Sequence, residues 1–102
     1  VYAASKSGVV SLTRSLAAEL SPLNIRVAGF IPGVIETPMI QSIVNEKRDF
    51  LAGQVAAGRL GLPEDITGPV LWLASDKAAY VTGTCIEISG GKFCVQNPGQ
   101  AW

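Results

Sequence analysis

Histidine is absent from this sequence, and that absence removes more chemistry than any other single feature. Without an imidazole there is no Ser-His-Asp or Cys-His catalysis, and most zinc sites lose their usual ligand. Cysteine is scarce. Cys85 and Cys94 stand nine apart, which makes neither a CxxC pair nor a disulfide framework. They read as ordinary buried thiols of a reducing compartment, so the expected location is cytoplasmic. Charge of one sign does not dominate, with 8 Lys and Arg against 8 Asp and Glu. A neutral chain without a basic run is not expected to bind nucleic acid or an anionic membrane surface. No apolar run approaches the ~20 residues of a membrane span. Methionine occurs once, at Met39, and the chain opens on Val1 within a helix-like pattern that has no polar lead-in. The expectation is the C-terminal part of something longer.

The 102 residues, 48% of them hydrophobic, fit one small domain with a core. From Tyr2 to Leu20 the sequence predicts a helix, with Val9, Leu12, Leu16 and Leu20 recurring on one buried face. Ser21-Pro22 stops it, because the residue before proline disfavours helix. Ile25 to Ile31 is a short apolar, β-branched run that suits a strand buried on both faces of a parallel sheet. Pro32-Gly33 breaks it. Ile40, Ile43, Val44, Phe50, Leu51 and Val55 then mark a second amphipathic helix. Gly58 to Asp65 is a turn-rich loop, and Pro63, Glu64 and Asp65 open a third helix, where proline fits the first turn and carboxylates favour the positive dipole end. Ile66, Val70, Leu73 and Ala74 form its expected buried face. Thr84 to Ser89 reads as a second strand, closed by a tight turn at Gly90-Gly91. Lys92 to Trp102 is expected to be a partly ordered tail. The order helix, strand, helix, helix, strand indicates an α/β fold with a parallel sheet.

Two places can carry chemistry. Tyr2 and Lys6 are four apart on a helix, so both project from one face, a turn apart. A fixed ammonium near a phenol favours the ionised form. Such a pair suits protonation of a carbonyl oxygen, or removal of an alcohol proton, beside a hydride acceptor. Solvated helix faces also carry this pair by chance. The second place is the run from Pro32 to Pro38, directly after a strand, where ligands of open α/β sheets bind. Gly33 lets backbone approach a ligand, and the Thr37 hydroxyl can bond an amide or phosphate. Equally, Thr37 can simply cap the next helix ahead of Pro38. Glu36, Glu64 and Asp65 read as helix-start charges, and no carboxylate cluster has metal-site spacing.

Taken together these segments carry a resemblance. Tyr2-Ala3-Ala4-Ser5-Lys6 is similar to the YxxxK motif of the short-chain dehydrogenase/reductase family. Asn24 to Val27 leading to Pro32 to Thr37 resembles that family's NIRV and PGxxxT segments. Gly58 to Asp65 resembles its GRxGxPED loop, and Tyr80 to Gly83 with Ile88 to Gly91 resembles its closing strand. Four motifs in the right order cover residues 2 to 91. The run Pro32 to Met39 looks most like that of 3-oxoacyl-[acyl-carrier-protein] reductases. Two positions depart from the pattern: Ala28 stands where many members have Asn, and Ser89 stands where Asp usually precedes the double glycine.

The resemblance implies a doubly wound, Rossmann-like parallel sheet, of which residues 1–102 would be the C-terminal half of a single NAD(P)-binding domain. It implies an oxidoreductase that moves hydride between NAD or NADP and a ketone or secondary alcohol, with 3-oxoacyl thioesters among the candidate substrates. Tyr2 would be the general acid or base, and Lys6 would bind the ribose hydroxyls and assist Tyr2. Main chain at Pro32, Gly33 and Ile35, with the Thr37 hydroxyl, would orient the nicotinamide carboxamide. The helix after Met39 would be a lid over the substrate. The family's glycine-rich phosphate loop and catalytic serine would precede Val1, so the chain alone is expected to be inactive. A homodimer or homotetramer is the implied assembly. The alternative is a truncated, non-catalytic homologue that works as an interaction module through its exposed sheet edge.

Overall fold

Alanine, serine and leucine, with no proline, carry the first helix, α1, from Tyr2 to Leu20. A 3-10 turn over Ser21–Leu23 follows, with Pro22 at its start. Asn24 then takes the left-handed conformation, φ 60, which asparagine tolerates better than most residues. The amide of Ile25 donates to the Leu20 carbonyl at 3.2 Å and closes the helix end. These coordinates are a computed structural model that describes residues 1–93. Cys94 and the rest of the expected tail lie outside the described residues.

Strand β1 covers Gly29–Pro32, α2 covers Gln41–Gly53, α3 covers Pro63–Ala74 and β2 covers Cys85–Ile88. The two strands are neighbours in one sheet. Gly29 donates to Thr84 and Gly33 to Ile88, each at 3.0 Å, so the pairing climbs both strands in the same direction and is parallel. The expected α/β order and parallel sheet are therefore found. Two compact units share the chain. One comprises residues 1–30 with 70–86, the other 31–69 with the segment from Glu87 onward.

In the first unit the buried face of α1 differs from expectation. Thr13 and Ala17 are buried, while Val9 and Leu12 are 57% and 55% exposed. The cause is close packing against backbone: a Cβ on Gly83 would stand 3.4 Å from the Ala17 methyl, so only small side chains fit there. Thr13 satisfies its hydroxyl on the Val9 carbonyl at 2.8 Å. The strand expected from Ile25 begins only at Gly29, because the preceding residues bond to the loop before β2 instead. The Arg26 guanidinium donates to the Ser75 and Val81 carbonyls, the Val27 amide to the Thr82 hydroxyl, and the Gly83 amide to the Val27 carbonyl. Phe30 and Ile31 in β1 are exposed rather than covered on both faces. Cys85 is half-buried, not buried, with a free thiol.

In the second unit Val44, Val55 and Leu60 are buried. Ile43 and Phe50, expected on the buried side of α2, are exposed. A non-helical residue at Lys47 (φ −127, ψ 23) kinks α2, so the face drawn on an ideal helix is not kept. Within α3, Ile66, Val70 and Leu73 are half-buried and Ala74 is exposed. At the start of α3, Asp65 accepts from the Leu62 amide at 2.8 Å, the reaching-back half of a capping box. After β2, Gly90 and Gly91 take φ 65 and 87 in the expected tight turn.

Candidate active site

Backbone geometry at the end of β1 decides what the Pro32 to Thr37 segment offers. Pro32 has no N–H, and the Gly33 amide is spent on Ile88. A Cβ on Gly33 would stand 2.8 Å from the Ser89 Cα and 3.1 Å from its carbonyl oxygen, so close strand approach requires glycine. Beyond it, Ile35 forms an isolated parallel bridge with Gly61. Gly61 donates to the Val34 carbonyl at 2.9 Å and accepts from the Glu36 amide at 2.8 Å. In such a bridge the flanking groups face the partner, and the N–H and C=O of the central residue point the other way. Among the described residues, the Ile35 N–H and C=O take no hydrogen bond. Thr37 precedes the Pro38–Ile40 turn in extended backbone, φ −132 and ψ 159, and its side chain makes no cap bond. Thr37 thus holds the cap position ahead of Pro38 that the alternative reading gave it, without a capping bond from its hydroxyl.

Two hydrogen-bonded ion pairs brace this segment and the loop that supports it. The Arg59 guanidinium grips Asp65 through both carboxylate oxygens, at 2.7 and 3.0 Å, and also donates to the Leu60 carbonyl. With the Leu62 amide as a second donor, Arg59 holds the Asp65 carboxyl down at about 2. Glu36 accepts from Arg48 on α2 at 2.6 Å, and that bond keeps its carboxyl below the usual range. Asp65 is thus both the expected helix-start charge of α3 and a brace, while Glu36 is a bracing group where helix-start charge was the expectation. Opposite charges 12 residues apart leave no local pattern, so nothing in the sequence identified Arg48. Val34, Ile35, Gly61 and Ser89 are among the residues lining a cavity of about 230 Å³ in this unit. Glu36, Arg48, Arg59 and Asp65 help line another of about 400 Å³.

In the other unit, α1 brings Tyr2 and Lys6 together as their spacing predicts. The Lys6 ammonium lies over the Tyr2 ring, 5.3 Å from its centre, within cation–π range. Tyr2 is 76% exposed, and its carbonyl accepts from the Ser5 hydroxyl at 2.7 Å. Neither the phenol oxygen nor the ammonium takes a hydrogen bond among the described residues. Also among the described residues, no group of three or more His, Cys, Asp and Glu could hold a metal ion, and no helix is long and apolar enough to cross a membrane.

A family profile described as enoyl-(acyl carrier protein) reductase matches residues 1–92. The 3-oxoacyl-[acyl-carrier-protein] reductase FabG of Thermotoga maritima is 46% identical over 90 residues, 88% of this chain and 37% of the relative. The chain belongs to the short-chain dehydrogenase/reductase family. Another relative is the human (3R)-3-hydroxyacyl-CoA dehydrogenase, 44% identical over 92 residues, 90% of this chain and 35% of that protein. The chain thus spans little more than a third of the curated relatives it matches. Among solved structures, a short-chain dehydrogenase/reductase from Brucella melitensis superposes with a TM-score of 0.84 at 40% identity, covering 90% of this chain and 37% of that one. A structure from Agrobacterium tumefaciens with bound NADP superposes with a TM-score of 0.85 at 34% identity, covering 92% and 39%. The expected Rossmann-type α/β fold of the short-chain dehydrogenase/reductase family holds for this chain, as part of the larger fold.

Proposed function

We propose that the full-length protein carrying this chain is an NAD- or NADP-dependent oxidoreductase acting on a ketone or secondary alcohol, and that these residues are the C-terminal half of its dinucleotide-binding domain. One observation carries the reading. At Ile35, beside the carboxyl end of a parallel strand, a main-chain donor and acceptor are left uncommitted, with the free Thr37 hydroxyl two residues on. A carboxamide has one acceptor and two donors, so this set fits the amide of a nicotinamide. Pro32 and Gly33 set where the segment leaves the strand.

Tyr2 and Lys6 are assigned to the chemistry. The Tyr2 phenol gives its proton to the carbonyl oxygen as a ketone is reduced, and takes it back from the alcohol in the reverse direction. Lys6 lies one helical turn away, with its ammonium over the same ring. Its free ammonium donors suit ribose hydroxyls. When bound, the nicotinamide supplies the hydride acceptor or donor. The names of the relatives, a 3-oxoacyl reductase and a 3-hydroxyacyl dehydrogenase, favour a 3-oxoacyl or 3-hydroxyacyl thioester as substrate. A homodimer or homotetramer is the proposed assembly.

The test is Tyr2→Phe in the full-length protein, which removes the proton and keeps the ring under Lys6. Loss of general acid catalysis predicts a turnover for carbonyl reduction roughly 10²–10⁴-fold lower. Cofactor binding, followed by the fluorescence of the reduced nicotinamide, is expected to be unchanged. Full turnover in this variant would remove Tyr2 from its role.

A further inference from the structure

Past Gly33, both flanks of Ile35 are bonded to one residue, Gly61, which donates to the Val34 carbonyl and accepts from the Glu36 amide. The direction in which the Ile35 N–H and C=O point is therefore set by the two peptide groups that adjoin Gly61. Each of those groups is held at its other end as well. In the peptide group between Leu60 and Gly61, the N–H donates to Val34 at 2.9 Å and the carbonyl accepts from the Arg59 guanidinium at 3.0 Å. In the one between Gly61 and Leu62, the carbonyl accepts from the Glu36 amide at 2.8 Å and the N–H donates to an Asp65 carboxylate oxygen at 2.8 Å. Arg59 and Asp65 then close the circuit on each other, at 2.7 and 3.0 Å. A peptide group is planar, so holding one end fixes where the other points. Leu60 is buried and Asp65 lies in the first turn of α3, which anchors the circuit on the core of this unit and on a helix start.

We infer that Arg59 and Asp65 are positioning residues for the nicotinamide end of the cofactor: through Gly61 they fix the direction of the Ile35 N–H and C=O that meet the carboxamide. The inference rests on the proposed reading of the Ile35–Thr37 segment as the carboxamide site. Binding groups give up little freedom when a ligand arrives if the groups behind them are already locked. Arginine suits this place because its planar fork holds a carboxylate with two donors and still reaches a carbonyl, which an ammonium cannot do in the same geometry. The bare Cα of Gly61 lets Ile35 lie over it, since a Cβ there would stand 2.5 Å from the Ile35 Cδ1. Only the carboxamide is assigned to this segment. Disturbing the pair therefore alters recognition of that group and leaves the affinity for the rest of the dinucleotide in place.

The experiment uses the full-length protein as wild type, Arg59→Met, Arg59→Lys, Asp65→Asn and the double variant of Arg59→Met with Asp65→Asn. Calorimetry gives the affinity for NAD or NADP, whichever the wild type binds, and for the matching acetylpyridine analogue, which keeps an acceptor oxygen and lacks both amide donors. The wild type is expected to prefer the carboxamide form about three- to tenfold, the worth of one hydrogen bond. In Arg59→Met and in Asp65→Asn that preference falls toward unity, while affinity for the acetyl analogue stays near its wild-type value. The double variant is no worse than the poorer single one, and Arg59→Lys, which keeps the charge without the fork, recovers part of the preference. A purely structural role would weaken both forms alike and leave the preference intact. Single variants that keep the wild-type preference, or losses that add in the double variant, overturn the assignment alone. A wild type that binds neither dinucleotide, or binds the carboxamide and acetyl forms equally, overturns the carboxamide reading, and this assignment with it. If Arg59→Met fails to fold, Asp65→Asn carries the same test.

Discussion

Gly33 and Gly61 both sit where a methyl group has no room, but their neighbours differ in how they can respond. A Cβ on Gly61 would meet the Cδ1 of Ile35 at 2.5 Å, the mobile end of a side chain. On Gly33 it would meet the Cα and carbonyl of Ser89, which cannot move without shifting β2. Gly33→Ala is expected to destabilise by about 1–3 kcal/mol, the usual cost of overpacking, and Gly61→Ala by less. Denaturant midpoints of the two variants in the full-length protein check the order. If Gly61→Ala is the worse of the two, the strand approach at Gly33 is not the tighter constraint. Sequence alone read Gly33 as a place for ligand approach. The structure places Ser89, at the end of the adjacent strand, close against Gly33, and the uncommitted main-chain groups are those of Ile35, two residues further on. That distinction depends on strand pairing, which residue types and spacing do not disclose.

At the level of elements, α3 starts where Pro63 and the two carboxylates after it predict, because that signal is local. Helix α1 matches its expected span for the same reason. What failed was the assignment of faces. The 3.6-residue period locates an apolar stripe on α1, but backbone proximity at Gly83 selects the Thr13 and Ala17 face, Leu16 and Leu20 are half-buried, and Val9 and Leu12 stay outside. For α2 the kink at Lys47 defeats any face drawn on a regular helix. The tie between α3 and the loop before it leads to a prediction in acid. Asp65 has its carboxyl lowered to about 2 from an ordinary 3.8, first by Arg59 and then by the Leu62 amide. A carboxyl lowered on folding contributes stability that is fully present above its unfolded value and disappears as pH falls through its folded value. Asp65→Asn is therefore expected to lower the melting temperature near neutral pH, with the gap to wild type closing between pH 4 and about pH 2. Thermal melts at stepped pH measure it, and a gap that persists at pH 2 would show that the carboxylate charge is not what α3 uses.

For the molecule as a whole, what is buried and what is exposed agree with a chain that covers about a third of its relatives. Among the described residues the buried apolar side chains are Ala17, Val44, Val55, Leu60 and Ala78, all small or medium in size. Phe30, Ile31, Leu71 and Trp72 are each at least 40% exposed. A two-stranded parallel sheet also leaves unpaired edges, and parallel sheets are normally covered on both faces. The isolated 102-residue chain is accordingly expected to lack a cooperative unfolding transition as a monomer, and to associate or remain loosely packed. Circular dichroism melts together with sedimentation velocity would decide this. A sharp transition in a monodisperse 10.7 kDa species would mean that the exposed apolar faces are tolerated, and that the small cores of the two units suffice on their own. Association, or a broad and gradual melt, would place the missing stability in surfaces that bury Phe30, Ile31, Leu71 and Trp72.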